Sequence, residues 1–181
     1  MAPLGTVSSR AAARRSSRSA SYGSLGPISE PGPPPGEVRV LPPATPLDRL
    51  RQEVLTAVNA ERTARGLAAL TLEETLSGVA QKHAEDMDRR RYLSHTSPEG
   101  KGVEDRLRAV QYFTPPCNCV VRFAYGENIA KGQQTTADVV KAWMASPLHK
   151  ENILKKDFKA MGLGFIRGIW VQVFGAVHVE K

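Results

Sequence analysis

The sequence contains only two cysteines, Cys117 and Cys119, in 181 residues. Two thiols are too few for a closed structural zinc site. They leave a tight disulfide, a pairing between chains and a reduced pair all open, so they do not fix the redox compartment. No apolar run approaches the roughly 18 residues that would read as a membrane-spanning helix. The N-terminus lacks the apolar core of a secretory signal. Arg14-Arg15 is followed by Ser16-Ser17-Arg18-Ser19 instead of an apolar run, which speaks against twin-arginine export. No acid occurs in residues 1–29, a composition shared by transit peptides and plain disordered tails. Aromatics are scarce, at 6%, and are not interleaved with the basic residues, so there is no nucleic-acid footprint. The net charge of +7 is also not concentrated: residues 1–46 carry five Arg against two Glu, and the remainder carries 20 basic against 16 acidic side chains. Such a spread keeps a protein in solution and mildly favours anionic surfaces.

Residues 1–46 mix Ser, Arg and Ala and then turn proline-rich from Pro27 to Pro43. Too little apolar surface is present there to offset the entropy of ordering, so a disordered tail with a stiff polyproline spacer is expected. A folded domain is expected over 47–181. Thr45-Pro46-Leu47-Asp48 reads as a capping box with proline at the first helical position. Leu47, Leu50, Val54 and Val58 then hold one apolar face, and Gly66 ends the helix. Thr71-Leu72-Glu73-Glu74 reads as a second capping box. The helix after it places Leu72, Leu76, Val79, Ala80, His83 and Met87 on one stripe, so His83 reads as a satisfied core histidine rather than a ligand. Arg89-Arg90-Arg91 falls at its end, where cations suit the helix dipole. A short helix is expected from Val103 to Val110, and an irregular segment from Thr114 to Cys119. Val120 to Tyr125 reads as a strand that turns at Gly126. Thr135 and Ser146-Pro147 open two further helices, and Ala160–Ile166 and Ile169–Val179 form two strands joined at Arg167-Gly168. Helices and strands mix without strict alternation, which predicts an α+β fold with helices packed on a small sheet.

Three residues carry the candidate chemistry. Glu127 lies in an apolar neighbourhood, Gly126-Glu127-Asn128-Ile129-Ala130, where an acid needs a partner. His95, in a polar loop, and His149, in the first turn of a helix, could supply it. Imidazole with carboxylate suits a divalent ion such as zinc, or general acid/base work, or simple loop fixation by hydrogen bonds. Their spacing is no local metal signature, and no nucleophile is identifiable: Ser146 is near His149 in sequence only.

The stretch from about Leu50 to Gly175 resembles the CAP superfamily of cysteine-rich secretory, antigen 5 and pathogenesis-related proteins, in its bacterial SCP-like branch. The matching pieces are Asn59-x-x-Arg62, His83-Ala84-x-x-Met87, Ser94-His95-x-Ser97-Pro98-x-Gly100, Gly126-Glu127-Asn128-Ile129-Ala130, Trp143-Met144-x-Ser146-Pro147-x-His149, Gly162-x-Gly164 and Trp170-x-Gln172-x-Phe174-Gly175. The resemblance implies a three-layer α-β-α sandwich with a central cleft of two His and two Glu. His95, Glu127 and His149 match three of these positions. Ser146 falls where the second Glu would be, and Leu148 replaces the glycine common before the last His. The resemblance therefore implies an extracellular or cell-envelope protein with His95, Glu127, Ser146 and His149 in its cleft; a monomer is expected. The leading expectation is a non-enzymatic module that binds a ligand, an ion or a partner: a small molecule, a lipid or a protein. It needs no cofactor, and any zinc would be held weakly by His95 and His149. The alternative is a hydrolase, metal-assisted or not, in which Glu127 activates water.

Overall fold

The computed structural model describes residues 45–114 and 119–179. The expectations for the tail before Thr45, and for the Pro115–Asn118 part of the irregular segment with Cys117, lie outside the described residues. Helix α1 (Pro46–Thr63) starts as its sequence dictates. The Thr45 hydroxyl accepts from the Asp48 N–H at 3.2 Å, and the Asp48 carboxylate accepts from the Thr45 N–H at 3.0 Å. The chain leaves α1 through Gly66, at φ +70°, with the Leu67 N–H donating back to the Arg62 carbonyl.

The next expectation is corrected. Thr71 does not cap a helix. Thr71–Leu72 is a two-residue strand, β1, whose backbone is taken up by pairing with a later strand. Glu73 caps helix α2 (Glu74–Arg90) instead, its carboxylate accepting from the Thr75 and Leu76 N–H groups. Leu72 is accordingly not part of the buried stripe, which runs through Leu76, Val79, Ala80, His83, Ala84 and Met87. Helix α3 spans Val103–Ala109.

A second correction concerns Gly126. It is not a turn. It lies inside strand β2 (Val121–Lys131), paired throughout with strand β4 (Ile169–Val179). The glycine is required by packing: a Cβ there would stand 2.9 Å from Phe158 Cζ and 3.0 Å from Asn152 Oδ1. Helices α4 (Thr136–Ala145) and α5 (Pro147–Leu154) follow. Thr135 caps α4 through the Asp138 N–H at 3.1 Å. Strand β3 (Ala160–Ile166) then turns into β4 through Arg167 and Gly168, both at positive φ.

The sheet order is β1-β3-β4-β2, with β1 parallel to β3 and the other pairs antiparallel. One face buries Val54, Val58, Trp143 and Ile153 of α1, α4 and α5 against Met161, Leu163, Trp170 and Phe174. The other buries Leu76, Ala80 and Met87 of α2 and Leu107 of α3 against Val171 and Val173. The fold is thus an α-β-α sandwich. Strand β2 is at its edge, so groups from both helical layers can reach it.

Candidate functional site

Glu127 lies opposite Val173 in the β2–β4 ladder, and its side chain therefore points to the α2/α3 face. It is 4% exposed. A carboxylate so buried must be paired, and both of its oxygens are. Oε1 accepts from His95 Nδ1 at 2.9 Å. Oε2 accepts from an Arg106 terminal nitrogen at 2.6 Å. His83 Nε2 lies 3.9 Å from Oε1.

Each partner has its own support. The same Arg106 nitrogen donates to the His95 carbonyl at 3.2 Å, and the other terminal nitrogen to the Lys101 carbonyl at 3.1 Å. Arg106 therefore ties α3, the His95 loop and β2 together. His83 donates from Nε2 to the Ser94 carbonyl at 3.0 Å, which fixes its tautomer. Burial lowers the His83 pKa below its ordinary value, against the opposite pull of Glu127. His95 must carry its hydrogen on Nδ1 to donate to Glu127, so in the neutral ring Nε2 is an acceptor. The His95 side chain is 31% exposed, so the ring is half open to solvent.

His149 reaches the region from the other layer. Asn128, buried beside Glu127, donates to the His149 carbonyl at 3.2 Å and to Gln172 Oε1 at 3.1 Å. Asn152 donates to the Glu127 carbonyl at 3.2 Å and to Asn128 Oδ1 at 2.9 Å. This buried amide network stitches α5 to β2. The His149 ring is half-buried, and burial, then the nearby His95, lowers its pKa. Its ring makes no hydrogen bond to a described residue. Ser146 stands at the N-cap of α5, but its hydroxyl makes no capping bond.

The structure thus joins Glu127 directly to His95, keeps His149 near enough to His95 to be influenced by it, and leaves the Ser146 hydroxyl without a capping bond. Two members of the site were not picked out by sequence reasoning as cleft groups. His83 was assigned to the core and is there, but against Glu127. Arg106 was not singled out at all. Its only signal is that it falls on the same helical face as Val103 and Leu107, and a buried guanidinium can be satisfied by carbonyls as well as by an acid.

The sequence profile of the cysteine-rich secretory protein (CAP) family matches residues 55–174. The chain belongs to the CAP family. The CAP chain is 39% identical over 127 residues to the uncharacterized protein YkwD of Bacillus subtilis (strain 168), a match covering 68% of this chain and 46% of YkwD. It therefore spans less than half of that relative. Among solved structures it resembles an extracellular protein containing a SCP domain from Bacillus anthracis, at 25% identity and TM-score 0.61, covering 78% of this chain and 45% of that one. It also resembles an outer surface protein of Borrelia burgdorferi, at 25% identity and TM-score 0.58, covering 68% of this chain and 90% of that one. Among the described residues no helix is long and apolar enough to cross a membrane.

A metal coordinated by Glu127 itself does not suit this site. Among the described residues no three His, Cys, Asp or Glu side chains are grouped to hold an ion. The single carboxylate is occupied on both oxygens, one of them by a guanidinium. What the CAP cleft offers chemically is a fixed carboxylate that orients one half-exposed imidazole, with a second imidazole near it.

Proposed function

We propose that this chain is an exported, monomeric CAP module whose cleft binds a small molecule, a lipid or a protein partner without turning it over. One observation carries the reading: Glu127 is engaged on both oxygens, by His95 at 2.9 Å and Arg106 at 2.6 Å. A general base must take a proton from water or substrate, and each oxygen of this carboxylate already faces a protein donor. No described hydroxyl or thiol is hydrogen-bonded to His95 or His149, as an activated nucleophile would be. Two further facts support export. The Bacillus anthracis and Borrelia burgdorferi neighbours are described as extracellular and outer-surface proteins. Cys119 is disulfide-bonded, and disulfides persist in oxidising compartments.

The test is a screen of the purified chain against peptide and ester libraries, run beside Glu127→Gln. No turnover is expected from either protein. Cleavage by the wild type that disappears in Glu127→Gln would overturn the reading and establish the hydrolase alternative.

A further inference from the structure

Arg106 bears on a property separate from turnover, namely which cations the cleft admits. We propose that Arg106 is the resident cation of the cleft. It holds the position at Glu127 that a divalent metal would need, and so closes the carboxylate to metal ions.

A buried carboxylate coordinates a metal only through an oxygen that is free to face it. Here Oε2 lies 2.6 Å from the guanidinium and Oε1 2.9 Å from the His95 N–H. A metal at either oxygen would have to share it with one of these donors and, at Oε2, approach a guanidinium. The guanidinium cannot yield by losing a proton, since arginine stays charged at any working pH. Nor is it loose: its terminal nitrogens are fastened to the Lys101 and His95 carbonyls, and its side chain is 15% exposed. Its Nε is buried and makes no hydrogen bond to a described residue, so the terminal nitrogens alone hold it in place.

Charge balance points the same way. Arg106 and Glu127 cancel. An added divalent ion would face a fixed positive charge, with Ser146 in place of a second carboxylate beside His149. Like charges in a partly desolvated site repel strongly. Removing the guanidinium reverses the balance and frees Oε2.

The experiment is calorimetric titration of the full chain with zinc chloride, for wild type, Arg106→Gln, Arg106→Lys and Arg106→Gln/Glu127→Gln, with circular dichroism to confirm folding. Arg106→Gln is expected to bind zinc at least about tenfold more tightly than wild type, the scale on which groups hydrogen-bonded to a ligand tune metal affinity. The double variant should lose that gain, and Arg106→Lys, which keeps the charge, should stay closed. A folded Arg106→Gln no better than wild type would overturn the proposal. So would micromolar zinc binding by the wild type that disappears in Glu127→Gln, a comparison that needs no Arg106 variant to fold. Wild-type binding that persists in Glu127→Gln uses other ligands and leaves the carboxylate closed, as proposed. A hydrolytic result in the preceding screen would not touch this inference.

Discussion

His83 is buried behind Glu127, with 2% of its surface exposed. It faces Glu127, Arg106 and His95, and desolvation is the largest influence on it, lowering its pKa. The unfolded chain takes up this proton near pH 6.5, while the folded chain resists it until lower pH. Between the two values the unfolded state binds more protons, so stability falls as pH drops through that window and is flat above it. The urea midpoint is therefore expected to be lower at pH 5 than at pH 7.5, and His83→Gln should remove part of the difference. His149, shifted in the same direction, keeps the rest. A wild-type midpoint that does not move between these pH values would refute the assignment. At this scale two features were legible. The apolar stripe of α2 placed His83 inside, and the apolar surroundings of Glu127 demanded a partner. That Arg106 shares in meeting the demand was not legible, because pairing across 21 residues is set by how α3 packs on the sheet.

The same division holds for the elements. Two helix starts were legible because the cap and its N–H lie three residues apart: the Thr45 box opens α1 as read, and Thr135 caps α4 through the Asp138 N–H, whereas at α2 the same pattern misled and Glu73 is the cap. The β3–β4 hairpin was legible from two apolar runs about a glycine turn. Strand β1 was not, since two residues hold no pattern and exist only through β3. The second half of β2 was misread because glycine marks turns and close contacts alike. Gly162 separates the two cases by experiment. A Cβ there would lie 2.1 Å from the backbone nitrogen of Ser77 and 2.2 Å from the carbonyl carbon of Leu76, neither of which can move without shifting α2. Gly162→Ala should cost about 3 kcal/mol or more, at the upper end of overpacking penalties. Gly126→Ala meets mainly a ring edge and a side-chain amide, and should cost about 1–2 kcal/mol. Urea unfolding of both variants checks the order. A Gly162→Ala protein as stable as wild type would mean that α2 does not lie this close to β3.

The two apolar cores share one sheet, so neither layer can leave without exposing the backs of β3 and β4. Arg62 joins pieces of the outer layer that are distant in sequence. It is fully buried, and its Nε donates to the Ala68 carbonyl at 2.8 Å. One terminal nitrogen donates to the Ile153 carbonyl at 2.7 Å and to the Lys155 carbonyl at 2.9 Å. No acid appears among these partners, and burial lowers the Arg62 pKa. The guanidinium thus holds the end of α1, the loop after it and the end of α5 through carbonyls alone. Arg62→Ala would strand three carbonyls and leave a cavity, at a cost of at least about 3 kcal/mol. The location of the loss tests the architecture. Trp143 and Trp170 both belong to the core on the Arg62 side, whereas the longest helix of the opposite face, α2, contains no tryptophan. If the sheet couples the layers, the transition followed by tryptophan fluorescence and that followed by far-ultraviolet circular dichroism should shift to lower urea together and stay superimposed. A fluorescence transition that moves ahead while most of the helical signal stays at the wild-type midpoint would show that the layers unfold separately, and the single-unit reading of the sandwich would fail.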